Sequence, residues 1–374
     1  MPRYREGIAA LNPYEVGRPI EEVARELGLD PSSIIKLTAN ESPEGPFPGV
    51  VEAATSSLAN SNRYPDNDCW DLGTKLAVGL GVSRANLLFG GGSVALISDI
   101  VKAVGGPGTN VVYGWPSFVM YRFAAIWAGA AYTEVPLNDR FELDLEAMSD
   151  AIDEDTRCVV VCNPNNPTGT IKPAGEIEDF IESLSDDVLV VVDEAYHEFV
   201  RDARYHSQVL EAVERENLVV LRTFSKIYSL AAHRVGYGVG HTSTIKELRK
   251  AQQPLAVNSV AQVSALASLG QADEVERRSD ANAAARHHLS GALSERDLPQ
   301  AESHTNFIFF KMPGDDSRAA SDRFTELGVI LRPIVGGWVR VTVGSPDENR
   351  KFVSALDHIL HRGPAEPDSR ARSN

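Results

Sequence analysis

Between about Val50 and Gly240 the sequence alternates short, almost wholly apolar runs with stretches of helical periodicity. The clearest runs are Val111–Tyr113, Cys158–Cys162, Leu189–Val192, Leu218–Leu221 and Val235–Val239, all rich in β-branched residues. A strand with one face in water alternates apolar and polar side chains, whereas a strand covered on both faces does not. Such runs separated by helices predict a mostly parallel sheet with helices packed on both sides. This pattern confines the region to an α/β architecture. It also says where chemistry belongs, because open α/β sheets bind ligands just beyond the carboxyl ends of their strands.

The flanking segments read differently. Residues 1–30 hold an arm and an amphipathic helix with Ile20, Val23, Ala24 and Leu27 on one face. Asn40 to Pro48 is a turn-rich loop. After Ile245 the pattern is helical to about Leu298, interrupted at Pro254. Strand signals then return at Asn306–Lys311, Val329–Arg332 and Val339–Val343, with helical patterns over Ser317–Leu327 and Pro346–Leu360. A chain of 374 residues is too long for one compact core. The expected division is an N-terminal arm with part of a small domain over 1–45 and a large α/β domain over 46–255. A linking helix and small α+β domain follow over 256–362, and a disordered tail over 363–374.

Charge and cysteine usage narrow the function. Lys plus Arg number 36 against 52 Asp plus Glu, a net charge of −16. An acidic surface repels nucleic-acid phosphates and anionic membranes, so neither is an expected partner. The three cysteines, Cys69, Cys158 and Cys162, form no paired motif and no disulfide framework, as suits a reducing cytoplasm. No run is apolar for long enough to span a bilayer, and the first residues lack the apolar stretch of a signal peptide.

Four segments at predicted strand ends carry the chemistry: Gly90-Gly-Gly-Ser93, Asn163-Pro-Asn-Asn-Pro-Thr-Gly169, Asp193-Glu-Ala-Tyr196, and Thr223-Phe-Ser-Lys226 with Arg234 beyond it. Lys226 follows a strand in a small, hydroxylated segment, where apolar surroundings can lower the pKa of an amine and make it a nucleophile. Asp193 ends a strand; it suits a helix N-cap, or a buried carboxylate paired with a pyridinium nitrogen. Tyr196 and the amide of Asn166 can donate to a phenolate oxygen, while the Asn-Pro run alone would be a rigid turn. Glycines leading into the apolar helical pattern at Val94 expose backbone N–H groups that suit a phosphate, with Ser225 and Arg234 adding a hydroxyl and a charged fork.

Together the motifs NPNNPTG, VVVDEAY, and LRTFSK followed by HRVGYG resemble those of the fold-type-I aminotransferases that use pyridoxal phosphate (PLP). More narrowly they look like the histidinol-phosphate aminotransferase family. The match runs from Asn12-Pro-Tyr14 through Asn40-Glu41, Asn62-Arg-Tyr-Pro-Asp66 and Asn306-Phe307 to Val339-Arg-Val-Thr-Val-Gly344. The resemblance implies the type I PLP-transferase fold, with a mostly parallel sheet in the large domain and a smaller α+β domain. It implies that Lys226 bonds the cofactor and shuttles the proton, that Asp193 pairs with the ring nitrogen, and that Asn166 and Tyr196 contact the ring oxygen. Phe118 would stack on the ring. Ser93, Val94 (by its backbone), Ser225 and Arg234 would hold the phosphate, with Gly92 and Thr223 also binding the cofactor. The family is dimeric, so a homodimer is implied, in which Tyr64 reaches the other subunit's phosphate. Tyr14, Asn40, Arg332 and Arg340 would meet the substrate, the arginines gripping an anionic group. No metal is expected.

Departures from the family pattern touch the substrate rather than the cofactor. Ser93-Val94-Ala95 stands where histidine-biosynthetic members commonly carry an Asp-Glu pair, and Gly-Trp-Pro-Ser-Phe118 looks more like the aromatic amino-acid branch. Ser229-Leu-Ala-Ala-His-Arg234 replaces Gly-Leu-Ala-Gly-Leu-Arg, and His197 follows Tyr196. The expectation is a ping-pong transfer of an amino group from an aromatic amino acid or histidinol phosphate to a keto acid such as 2-oxoglutarate. The competing readings are a PLP eliminase, cyclase or decarboxylase, and a PLP-binding sensor without catalysis.

Overall fold

The computed structural model describes residues 2–15 and 17–361. The tail expected over 363–374 lies outside the described residues. The chain forms two compact units. The larger holds Glu44–Ala283, Ala301–Asn306 and the residues up to Tyr14; the smaller holds Glu15–Pro43, Ala284–Gln300 and the residues from Phe307 on. Among the described residues no helix is long and apolar enough to cross a membrane.

Strands are numbered in chain order, the first, β1 (Ile35–Lys36), belonging to the smaller unit. The larger unit is built on seven strands: β2 (Leu87–Gly90), β3 (Asn110–Trp115), β4 (Ala131–Pro136), β5 (Thr156–Cys162), β6 (Leu189–Asp193), β7 (Leu218–Thr223) and β8 (Gly236–Gly240). They lie in the order β2-β8-β7-β6-β5-β3-β4. The apolar runs have the expected cause. Val159, Val161, Val190, Val192 and Val220 enter one apolar cluster, while Val160, Val191, Val219 and Leu221, the residues between them, enter a second. Successive side chains point to opposite faces, and helices bury both.

Two strands escaped the pattern. β4 is an edge strand in which only Val135 is buried, so Tyr132 and Glu134 break the apolar run. β2 has four residues. A third, β8, reads from sequence like its parallel neighbours but runs antiparallel to both β7 and β2. Pairing direction leaves no mark on burial, and burial is what an apolar run reports.

Register decides where the site residues emerge. Cys162 on β5 is level with Asp193 on β6, and Asp193 with Leu221 on β7. The segments beginning at Asn163, Glu194 and Phe224 therefore leave the sheet at the same end. Directly beneath them Arg222 and Glu194 pair at 3.0 Å with side chains 8% and 1% exposed. Ser207 and the Gln208 N–H also donate to Glu194, so the carboxylate is held by an ion pair and two further donors.

In the smaller unit β9 (Phe307–Lys311), β11 (Arg332–Val335) and β12 (Trp338–Thr342) form an antiparallel sheet of order β11-β12-β9. β10 (Val329–Ile330) pairs in parallel with β1. The single run expected over Val329–Arg332 is thus split between two sheets. Helices Ser317–Glu326 and Pro346–His361 cover this core, Phe324 stacking on Phe352 at 5.5 Å. The early helix, Ile20–Leu27, buries Val23 and Ala24 against Ile34 and Ile330.

Removing one member of a buried ion pair strands the other's charge, at a cost of about 3–5 kcal/mol. Arg222→Met is expected to destabilise the larger unit by that order, read as a lower denaturant midpoint. A change under about 1 kcal/mol would show that Ser207 and Gln208 alone suffice for Glu194.

Candidate active site

The glycine segment and the arginine beyond Lys226 meet at the end of β2 and β8. Gly92 has φ 85° and ψ 165°, a conformation that only glycine adopts without strain, and it starts the twelve-residue helix Ser93–Val104. A side chain there would collide with the guanidinium of Arg234. Gly236 is needed for a similar reason: a Cβ on it would stand 2.7 Å from the Ser93 nitrogen. Arg234 Nη1 donates to Ser225 Oγ at 3.4 Å and to the Ala231 carbonyl at 2.8 Å, and Nη2 to the Gly91 carbonyl at 3.3 Å. Thr223 Oγ1 donates to Ser225 Oγ at 2.9 Å. The structure thus gathers Gly92, Ser93, Thr223, Ser225 and Arg234, with Val94 in the helix's first turn. A guanidinium, two hydroxyls and the unpaired N–H groups of a helix start suit a phosphate.

Asp193, at the end of β6, is 3% exposed. Its Oδ2 accepts from the Tyr121 hydroxyl at 2.8 Å and its Oδ1 from the Ala195 N–H at 3.1 Å. Burial pushes its pKa up to about 6; the Tyr121 and Ala195 hydrogen bonds and the charge of Lys226 pull the other way. A buried carboxyl beside a cation, poised to ionise, is what a pyridinium partner requires. Lys226 Nζ lies 5.6 Å from the centre of the Tyr196 ring, itself 4% exposed. Cys162 stands level with Asp193, and the Asn166 N–H reaches the Cys162 sulfur. Burial raises that thiol to about 12, so it stays neutral.

Phe118 meets the edge of Tyr121 at 5.8 Å. Its neighbour Ser117 donates to Asn165 Oδ1 at 2.7 Å, while Asn165 Nδ2 donates to the Pro116 carbonyl and to Thr168 Oγ1. One buried amide therefore fixes the segment carrying Phe118 against the turn carrying Asn166. Sequence reasoning passed over both Tyr121 and Asn165. The Asn165 signal lay inside the motif already chosen, where only one of two adjacent asparagines was assigned. Tyr121 left no signal of its own, being one aromatic in an apolar helix.

Of the histidines singled out from sequence, His197 packs against Tyr205 with ring centres 5.7 Å apart. His197 Nδ1 lies 3.3 Å from the Tyr205 hydroxyl, and burial together with Arg222 drops its pKa to about 3, so it is neutral. Glu198 in the same cluster is raised to about 7 by burial. The His233 carbonyl accepts from Asn258.

The expected substrate residues are distributed over both units. In the larger, Tyr14 is 42% exposed and meets the edge of Phe123 at 6.2 Å. Tyr64 is 87% exposed. In the smaller, Asn40 is 1% exposed with φ 55°, and its N–H donates to Thr342 Oγ1 at 3.0 Å. Arg332 and Arg340 are direct cross-strand partners on β11 and β12, so their side chains share one face. Arg340 donates to the Thr38 carbonyl and lies 5.2 Å over the Phe307 ring; Arg332 donates to the Glu15 carbonyl at 2.6 Å.

Comparison with known proteins agrees with this chemistry. The family described as "Aminotransferase class I and II" matches residues 32–356. An aromatic amino acid aminotransferase of Streptomyces coelicolor is 40% identical, covering 96% of this chain and 98% of its own. A histidinol-phosphate aminotransferase of Cupriavidus pinatubonensis is also 40% identical, covering 94% and 95%. Among solved structures, histidinol-phosphate aminotransferase from Sinorhizobium meliloti in complex with pyridoxal 5'-phosphate superposes with a TM-score of 0.88 at 27% identity, over 97% of this chain and 98% of that one. With a family match over residues 32–356 and relatives 40% identical over nearly their whole length, the chain belongs to the class I and II aminotransferases and is a PLP-dependent transaminase.

Proposed function

We propose that this enzyme takes its amino group from an aromatic amino acid and passes it to a dicarboxylic keto acid such as 2-oxoglutarate. The observation that carries this reading is the pairing of Arg332 with Arg340 across two strands. Two planar guanidiniums on one face suit a ligand with carboxylates to be gripped bidentately. A specific feature also favours histidinol phosphate as a second donor: its phosphate is a dianion, which the same pair suits. The 40% identity to relatives of each name supports both.

PLP supplies the electron sink that lets an amino group and a proton move between two carbons. The roles of the chain's own residues follow from their chemistry. Lys226 provides the amine that bonds the cofactor and afterwards holds and moves a proton at Nζ. Asp193 keeps the ring nitrogen protonated. Tyr196 and Asn166 donate to the ring oxygen, and Phe118 supplies an apolar face. Gly92, Ser93, Val94, Thr223, Ser225 and Arg234 anchor the phosphate. Tyr14, Asn40, Arg332 and Arg340 orient the substrate and exclude water. The exposure of Tyr64 fits a homodimer in which it completes the second subunit's site. The free cysteines Cys69, Cys158 and Cys162, all buried, fit a cytoplasmic enzyme.

Half-reactions with phenylalanine, tyrosine, histidine, arginine and histidinol phosphate, each without keto acid, give the direct test. Bleaching of the bound cofactor's visible absorbance with release of keto product is expected for phenylalanine and tyrosine. Bleaching by histidinol phosphate alone would move the assignment to that donor, and bleaching by none would remove both.

Lys226→Ala should abolish the borohydride-trapped adduct and lower turnover by at least about 10⁴-fold, as for loss of a nucleophile that also transfers the proton. Arg340→Lys should raise KM for carboxylate substrates about 10- to 100-fold, since one bidentate hydrogen-bonded pair is lost, with a smaller effect on kcat. An unchanged KM would place the substrate's anion elsewhere.

A further inference from the structure

We infer that Tyr121 is a positioning residue for the cofactor's ring nitrogen, acting through Asp193: its hydroxyl aims that carboxylate and helps keep it ionised. The inference rests on the assignment of Asp193 as the ring-nitrogen partner.

The geometry has three parts. The carboxylate is buried, and Tyr121 is the donor to one of its oxygens, Oδ2, at 2.8 Å, while the Ala195 N–H serves the other. A carboxylate in such a place needs donors, because isolated burial favours its neutral form. Second, the Tyr121 ring is wholly buried and locked by edge contacts with Tyr113 at 5.7 Å and Phe118 at 5.8 Å. Its hydroxyl therefore points where packing puts it. Third, Tyr121 sits on the helix Met120–Ala128, four residues beyond Ser117, which Asn165 ties to the turn carrying Asn166. One rigid segment thus presents the proposed ring-stacking residue and the support of the ring-nitrogen acid.

A packed core tyrosine would make the first and second observations in part, since a buried phenol generally finds a partner. Tyr113 is the internal comparison. It is as deeply buried and donates at 2.8 Å to Glu134, on the edge strand β4 and away from Asp193. The groups that face Asp193 are Tyr121 from its helix, Cys162 from β5, Lys226 after β7, and Glu194 and Tyr205 beyond β6. Cys162 and both tyrosines are neutral because burial raises them; Lys226 favours the charged carboxylate and Glu194 opposes it. Removing the Tyr121 donor leaves Ala195 and Lys226 to hold the charge against burial. The carboxyl pKa then rises, and the acid limb of cofactor binding moves to higher pH.

The test titrates apo-protein with PLP between pH 5 and 9, following the bound cofactor's absorbance, for wild type, Tyr121→Phe and Tyr113→Phe. Loss of one hydrogen bond to a charged group, ~1.5–3 kcal/mol, corresponds to about 10- to 100-fold weaker binding. The expected result is that weakening for Tyr121→Phe, growing as pH falls, with its acid limb displaced upward and Tyr113→Phe matching wild type. A 3-fluorotyrosine at position 121, a stronger donor of nearly the same size, should displace the limb downward and covers the case in which Tyr121→Phe does not fold. A Tyr121→Phe profile that superimposes on wild type overturns the inference. So does a pH-independent loss matched by an equal fall in thermal midpoint, which would mark packing alone. Wild type that binds no PLP overturns the cofactor assignment itself and is seen before any variant is made.

Discussion

A carboxylate taken out of water at the end of β6 sets conditions that much of the larger unit meets. Asp193 needs donors, and Tyr121 and Ala195 supply them. It needs a neighbouring cation, and the register that sets it level with Leu221 brings the chain through Thr223 and Ser225 to Lys226 a few residues later. It needs apolar walls to keep water away, and β7 and the buried run Cys158–Cys162 of β5 provide them. A surface aspartate would stay ionised unaided, but water would screen the field that a buried one exerts on its neighbours. Burial therefore gives the acid its usefulness and creates the need for its support.

The parallel core was legible because covering both faces of a strand leaves a mark in composition. The three central runs, at Cys158–Cys162, Leu189–Val192 and Leu218–Leu221, emerged as β5, β6 and β7 with ends displaced by at most two residues. Direction and edges left no such mark, which is why β8 read like its parallel neighbours and β4 went unseen. The candidate site stood out where an unusual residue type falls at or just beyond a strand end, as at Asp193 and Lys226. It was illegible where the residue type is ordinary for its surroundings. Tyr121 in an apolar helix and Asn165 beside Asn166 gain their meaning only from what lies opposite them.

The same division holds for the buried cluster behind the site. Arg222 and Glu194 flank the motif residues Thr223 and Asp193 in sequence, and each could have been read as a solvated charge. The structure places them together at 3.0 Å, with His197 and Tyr205 nearby. Alternation along a strand explains this. When Asp193 points to one side, the residue after it turns to the other. The motif thus alternates between the side on which Asp193 meets Tyr121 and the side on which Glu194 meets Arg222.

Arg332 and Arg340, placed opposite each other, have one more consequence. Cross-strand partners lie on one face at short range, so a change of charge at either arginine also alters the field at the other. Substitutions at the two positions are therefore coupled, and their effects on the β11–β12 hairpin will not simply add.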